Sequence, residues 1–361
     1  MQYQDERPTD EHVPDVHKIA VLRANALGDF IFTLPALEAL RTAYPQAEIV
    51  LLGKAWHKAF LQGRPSPLDR VVVVPRYGGV GEEPGIEEDT EEMERFFQEM
   101  EREHFDLALQ MHGGGRYSNV FLHRLGACMT AGSQTPDALP LDRNLRYIYF
   151  QHEVIRYKEI VSLVGASNGL IEPRIALTKA DIDEAQRVVP EGSEPLVALH
   201  PGASDVGRCW PTEKFALVGN ALVAAGAKVV VTGTLEEREV VEAVVEQMET
   251  PALGLAGKLS LGGLAGLLAR CRVMVSNDTG PRHLAAAVGT ATVGIYWCVN
   301  LVNASPLTRM RHRPITSWRL ECPICGRNQL HAKCEHNVSY VADVETSEVI
   351  EQALELFHNS F

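Results

Sequence analysis

The chain has 361 residues, 45% of them hydrophobic and 22% charged, a composition that describes a soluble globular protein expected to form two domains of about 150 to 200 residues each. A formal net charge of −13 excludes general nucleic-acid binding, because phosphate contacts need a basic surface. Seven cysteines scattered through a chain of this length exclude a disulfide framework, and no apolar run approaches the roughly 20 residues of a membrane span.

In chain order, the start MQYQDERPTDEHVPDVH carries neither the basic nor the apolar region of a signal peptide, so residues 1–17 are expected to be a flexible leader and the protein cytoplasmic. The stretch KIAVLRANALGDFIFTLPALEAL at 18–40 reads as an apolar strand, a polar break ending in Gly28 and Asp29, and an apolar run that predicts a helix over 34–43. Strands are expected at AEIVLLG, DRVVVVP and DLALQM. Residues 81–103, with eleven acids and two arginines, are expected as a solvated loop running into an exposed helix over 90–104.

The second half repeats the rhythm with LVALHPG, AKVVVTG, ALGLAG, VMVSND and TVGIYW, and with helices near 212–225, 236–247, 261–270 and 281–288. Such alternation predicts βα units and two doubly wound parallel sheets. Pro, Gly and polar residues flank one helical segment within 172–195 and place a boundary there. The expected division is a first domain over 18–180, a second over 181–343, and a closing segment over 344–361, with a helix near 344–357, that could cross back to the first domain.

In open parallel sheets ligands lie outside the carboxyl ends of the strands, and three polar loops of the second half occupy such positions. LVALH runs into Pro201, Gly202, Ala203 and Ser204, then to Arg208; KVVVTG runs into Thr234, Glu236 and Glu237; VMVSN runs into Asp278, Thr279, Gly280 and His283. Pro281 suits the first helical position, and the N–H groups and dipole of a helix opening there favour a phosphate. Each residue also has a plainer use. Asp278 can cap the helix, His283 can be packed beneath the loop, Arg208 can be a solvated charge, and either Glu can favour its own helix start. Asp29, an acid directly after a glycine, either caps a helix or meets a ligand.

The segments VLRANALGDFIFTLPALEALRTAYPQAEIVLLG, LHPGASDVGRCWPTEKFALVGNAL and SNDTGPRHLAAAVGTATVGIYW, in that order over 18–357, resemble glycosyltransferase family 9, the ADP-heptose:lipopolysaccharide heptosyltransferases. The resemblance implies a GT-B architecture, two Rossmann-like domains facing across a cleft, with the acceptor held by the first and the donor by the second. It implies an inverting, metal-independent transfer of a heptose-like sugar from a nucleotide diphosphate, taken to be ADP-linked, to a hydroxyl of a glycan or glycolipid. Asp29 then falls on the family's general base, with Asn25 and Gly28 beside the acceptor, and Arg208 on the basic residue that neutralises the leaving diphosphate. Gly202, Ala203, Ser204, Asp278, Thr279, Gly280 and His283 fall on donor-binding positions, with Glu236 or Glu237 matching less cleanly an acid that meets the ribose. A glycolipid acceptor would bring the protein into peripheral contact with the inner face of the cytoplasmic membrane. The other classes considered are a non-catalytic GT-B protein that binds a nucleotide sugar and a GT-B-like nucleotide-sugar epimerase; a Rossmann oxidoreductase is disfavoured because no G-x-G-x-x-G follows the first strand.

Some features lie outside that pattern. The acidic 81–103 stretch is a poor surface for an anionic lipopolysaccharide acceptor, while Arg116, Arg124, Arg143 and Arg146 could form a local basic face. The run LTRMRHRP, with Arg309, Arg311, His312 and Arg313, is either a phosphate contact or a solvated loop. Cys322, Cys325, Cys334 and His336, in CPICGRNQLHAKCEH, could hold a structural zinc through three thiolates and one imidazole. The plainer alternative is a metal-free loop, since the eight-residue gap matches no standard finger. No cofactor is expected to be required for catalysis.

Overall fold

The computed structural model describes residues 11–330 and 334–359, and these divide into two compact units between Pro173 and Arg174. Each unit is built on six parallel strands. The first sheet runs Arg70–Val73, Glu48–Gly53, Lys18–Leu22, Leu107–Gln110, Met129–Gln134, Arg143–Arg146 from edge to edge. The second runs Leu253–Gly254, Lys228–Val231, Leu196–His200, Cys271–Asn277, Ala291–Trp297, His312–Ser317. Both have the Rossmann order, in which the third strand in sequence lies at one edge and the chain reverses direction across the sheet between the first and fourth. The expected pair of Rossmann-like α/β domains is therefore present.

The inner strands are apolar throughout because helices cover both faces of a parallel sheet: Ile19 to Leu22, Ile49 to Leu52 and Val229 to Val231 are all buried. Register then decides what stands beyond each strand end. Leu22 pairs with Gln110 and His200 with Ser276, so Arg23 lies level with Met111, and Pro201 with Asn277, at the reversal points where such sheets bind ligands.

Four expectations need correction. The unit boundary precedes the expected 180/181 position, because Lys179–Val188 packs on Leu261–Arg270: a methyl group on Gly266 would lie 2.3 Å from the Asp181 carbonyl oxygen, and Arg270 Nη1 donates to the carbonyls of Ala185 and Val189 at 3.0 and 2.7 Å. The closing helix, Thr346–His358, belongs to the second unit, where Val349, Ala353, Leu356 and Phe357 join one core with Phe215 and Val218. Residues 1–10 of the expected leader lie outside the described residues, but 11–17 are held: His12 stacks on Tyr44 at 4.4 Å, and Asp106 Oδ2 accepts from the His17 N–H at 2.7 Å. The helix expected to be exposed, Thr90–Arg102, is amphipathic, with Asp89 capping it through the Glu91 and Glu92 N–H groups. Met93, Phe96, Phe97 and Met100, at helical spacing, face the core, and burying each contributes about 1.5–3 kcal/mol. No helix of the described residues is long and apolar enough to cross a membrane.

Candidate functional site

In the second unit the loops following Leu196–His200 and Cys271–Asn277 are tied together by one buried amide. Asn277 Nδ2 donates to the Pro201 carbonyl at 2.7 Å, and its Oδ1 accepts from the Trp210 N–H at 3.0 Å. Between them Arg208 ends a short 3-10 turn, Val206–Arg208, begun by the Asp205 carboxylate on the Gly207 N–H at 2.9 Å. Its guanidinium donates to Ser204 Oγ at 2.8 Å and to the Asp278 carbonyl at 3.2 Å, and lies 3.7 Å from Asp278 Oδ2. Ser204 is exposed, Ala203 half-buried and Gly202 buried.

Asp278 is buried and centres a chain of alternating charge. His283 Nε2 stands 3.4 Å from Oδ1, and Asn300 Nδ2 donates to Oδ2 at 2.9 Å. Arg282 Nη2 donates to His283 Nδ1, which places the imidazole proton on Nε2, toward Asp278. Burial alone would raise the Asp278 carboxyl, but the His283 contact, the Arg282 charge and the Asn300 bond outweigh it and hold the group below the usual carboxylate range. The helix here is Gly280–Ala287, one residue earlier than expected, with Thr279 as its extended N-cap and Pro281 in the first turn. Thr279 Oγ1 makes no cap bond and, among the described residues, has no hydrogen-bond partner. Buried polar atoms are rarely left so, and this one sits beside helix N–H groups suited to an anion.

The two glutamates differ in setting. Glu237 turns inward: its Oε2 accepts from the Thr234 N–H at 2.8 Å and lies 3.9 Å from His200 Nε2, and a methyl group on Gly202 would stand 2.1 Å from its Oε1. Glu236 is exposed. His200, which donates to or accepts from Thr232 Oγ1 at 3.1 Å, is buried beneath the loop, and burial pushes its imidazole down despite Glu237.

In the first unit Gly28 and Asp29 lie inside a one-turn helix, Leu27–Ile31, rather than in a loop, and Asn25 is half-buried just before it. Asp29 serves the first of the uses foreseen for it. Its Oδ2 accepts from the Ala26 N–H at 3.3 Å, closing the helix start, while Arg23 Nη2 meets Oδ1 at 2.9 Å; the side chain remains 38% exposed. Arg23 is buried, donates through Nη1 to the Met111 carbonyl at 2.6 Å, and stacks 5.0 Å above Tyr157. Beside it His112 Nδ1 accepts from the Ala24 N–H at 3.4 Å, and desolvation, with the Arg23 and Lys54 charges, pushes that imidazole down to about 3. A recess of ≈ 330 Å³ opens at the carboxyl ends of the same strands, lined by Ala24, Lys54, Trp56, Val74, Arg76 and Glu82 among others. A second recess, ≈ 350 Å³, lies at the amino ends of the second sheet, where Arg270, Arg272 and Arg311 cap carbonyls, at the end of the strands away from the Arg208 and Asp278 loops.

Sequence reasoning missed Arg23, Lys54, Arg76, Arg282 and Asn300. Arg23 was legible only as the cation closing an apolar strand, and Asn300 comes from a short helix, Cys298–Ala304, that no cap residue announces. The arginines proposed as a basic face are occupied separately: Arg124 pairs with Glu94 at 2.5 Å, Arg143 Nη1 donates to the Leu163 carbonyl at 2.5 Å, and Arg116 stands 3.6 Å from Asp137. The LTRMRHRP run leads into a strand, with His312 paired to Thr292 at 2.9 Å and Arg313 to Glu355 at 2.8 Å. Cys322, Cys325, Cys334 and His336 do converge, their ligand atoms all within 4.8 Å of one another.

The model of Glycosyltransferase family 9 (heptosyltransferase) matches residues 93–334 of the chain. The chain is 22% identical over 300 residues to the lipopolysaccharide core heptosyltransferase OpsX of Haemophilus influenzae, a match covering 81% of this chain and 82% of that protein. Its structure resembles a glycosyl transferase family 9 protein from Veillonella parvula with a TM-score of 0.77, 22% identity, and coverage of 95% of this chain and 98% of that one. It also resembles the ADP-heptose LPS heptosyltransferase II of E. coli, with a TM-score of 0.74, 18% identity, and coverage of 94% and 98%. The solved structures share the fold, and the family match spans most of the chain. The protein belongs to glycosyltransferase family 9, the heptosyltransferases, and is a glycosyltransferase.

Proposed function

We propose that the protein transfers a heptose from an ADP-linked donor, held by the loops of the second domain, to a hydroxyl of an anionic glycolipid of the lipopolysaccharide type, held by the first. The observation that carries this reading is the seating of Arg208 between Ser204 and Asp278, beside the start of Gly280–Ala287. A planar cation and a helix N-terminus at one sheet edge suit a diphosphate. The sugar and the acceptor class are supported by the relatives' names, one a lipopolysaccharide core heptosyltransferase and one an ADP-heptose LPS heptosyltransferase. Lys54 and Arg76 in the first-domain recess add two cations suited to an anionic acceptor despite the acidic helix.

In this reading the acceptor hydroxyl gives its proton to Asp29 as its oxygen attacks the anomeric carbon from the face opposite the diphosphate. Arg23 orients the carboxylate through Oδ1 and leaves it partly open. The bond from the anomeric carbon to the phosphate oxygen breaks, inverting the centre, and Arg208 with the N–H groups near Thr279 and Gly280 receives the negative charge. Since these groups supply the positive charge, the transfer requires no divalent cation at the diphosphate. Gly202 leaves room for the inward-facing Glu237 carboxylate, which in this reading accepts from the ribose hydroxyls.

The test is Asp29→Asn with an ADP-heptose donor and a lipopolysaccharide-core acceptor. Transfer should fall by about 10²–10⁴, with ADP affinity by calorimetry unchanged and the wild-type rate indifferent to added Mg²⁺ or Mn²⁺. Transfer at the wild-type rate in the variant removes Asp29 as the base. A thermal-shift series in which UDP or GDP stabilises and ADP does not removes the adenine assignment.

A further inference from the structure

We propose that Cys322, Cys325, Cys334 and His336 hold a zinc ion, and that this closed knot positions the turn carrying Arg208. The second half of the proposal rests on the role given to Arg208 above; the first does not.

The four ligand atoms lie within 4.8 Å of one another, and Cys322 Sγ is 3.7 Å from His336 Nδ1. Tetrahedral zinc, with Zn–S near 2.3 Å and Zn–N near 2.0 Å, separates its ligands by about 3.5–3.8 Å, so shifts of about 1 Å or less complete the shell. The backbone is shaped for it. Glu321 and Asn328 form an antiparallel bridge, Cys322 N–H donates to the Arg327 carbonyl at 3.0 Å, and Gly326 N–H returns to the Cys322 carbonyl at 2.9 Å. Gly326 has φ +70°, a left-handed conformation that glycine adopts freely, and the Ile324 and Cys325 N–H groups turn toward the Cys322 sulfur. Three soft sulfurs and one imidazole favour zinc over the oxygen-seeking cations. Four protein ligands make a closed, structural site. All four cysteine and histidine positions lie outside the donor loops, and among the described residues no other group of three or more such ligands comes together.

The knot is wired to the donor site through buried polar groups. Gln329 Nε2 donates to Cys334 Sγ at 3.4 Å, and its Oε1 accepts from the Cys334 N–H at 3.3 Å and from the Tyr340 hydroxyl at 2.9 Å. Tyr340 is buried, its N–H donates to the Gly207 carbonyl at 2.8 Å, and a methyl group on Gly207 would meet its ring at 2.5 Å. Gly207 directly precedes Arg208. Three hydrogen bonds therefore join the sulfur of Cys334 to the backbone that aims the guanidinium. Outer partners of this kind usually matter to a metal site nearly as much as its ligands.

The full chain, purified without chelator, should carry about one zinc per molecule by elemental analysis, and cobalt exchanged into it should give thiolate-to-cobalt absorption. Cys325→Ser/Cys334→Ser should lose both signals, and Cys334→His, which keeps four ligands, should retain the metal. Gln329→Leu should keep zinc yet lower kcat about tenfold with the acceptor KM unchanged. Wild-type protein holding iron, a disulfide or no stoichiometric metal overturns the site, a result independent of whether the double variant folds. A zinc-loaded Gln329→Leu enzyme with wild-type kcat overturns the positioning role. An Arg208→Ala enzyme of full activity would overturn the reading of Arg208 and leave the zinc site standing.

Discussion

Lowering the pH should weaken the first domain through His57. That imidazole is fully buried, stacked on Trp56 at 3.6 Å and edge-on to Phe30 at 5.1 Å, the neighbour of Asp29. Its Nδ1 accepts from the Lys54 N–H at 2.9 Å and so caps Ala55–Leu61. Burial, reinforced by the Arg23 and Lys54 charges, pushes it down from 6.5 to about 3, and a proton on Nδ1 would also break the cap. Between those two values the unfolded chain binds the extra proton and the folded one does not, so stability rises with pH through the window and is level above it. At about pH 5 the unfolded group is roughly 1.5 units below its own pKa, which at 1.36 kcal/mol per unit costs the folded domain about 2 kcal/mol relative to about pH 7.5. Hydrogen exchange of the Lys18–Leu22 amides reads this domain alone, and the difference corresponds to roughly 30-fold in protection. His57→Asn keeps an acceptor near Nδ1 and should abolish that component of the pH dependence, whatever its cost at neutral pH. Equal pH dependence in the variant and the wild type would refute the reasoning.

Gly202→Ala should displace Glu237 and break its bond to the Thr234 N–H, costing about 1–3 kcal/mol; scanning fluorimetry should show the second domain melting about 3 to 8 °C lower, with weaker ADP binding. Arg208→Lys keeps a point charge but loses the fork that reaches Ser204 and Asp278, so kcat/KM should fall about tenfold, against about 10²–10³ for Arg208→Ala; steady-state kinetics separate the two. Asp278, held below the usual range, contributes stability that is complete above 3.8 and lost as pH falls through its lower folded value. Asp278→Asn should therefore flatten the acid limb of second-domain unfolding, followed by circular dichroism.

The central strands were legible because burial on two faces leaves continuous apolar runs such as KIAVL and KVVV. Met129–Gln134, MTAGSQ, was not: its polar residues are buried only because Thr130 binds Asp142 and Ser133 Oγ donates to the Gly113 carbonyl, partners distant in sequence. The edge strands RNLR and HRPITS were not read as strands: Arg143 and Arg146 stood as part of a basic face, and LTRMRHRP as a phosphate contact or a solvated loop. In the loops of the second sheet the candidate residues were visible as a cluster after strand ends, but their order of importance was not. Glu236 and Glu237 are chemically equal until the missing side chain of Gly202 leaves room for one of them. Arg23 gained meaning only from the register that sets it level with Met111.

The closing helix also divides the timing of synthesis. All six strands of the first sheet precede residue 174, so that domain can complete itself while the ribosome is still translating the second. The second domain cannot: Trp210, Phe215, Val218 and Leu222 share their core with Val349, Ala353, Leu356 and Phe357, which are made only after all six strands of the second sheet. A nascent chain stopped before Thr346 displays that apolar surface to the cell, and the interval until that helix is made is when a chaperone would be engaged.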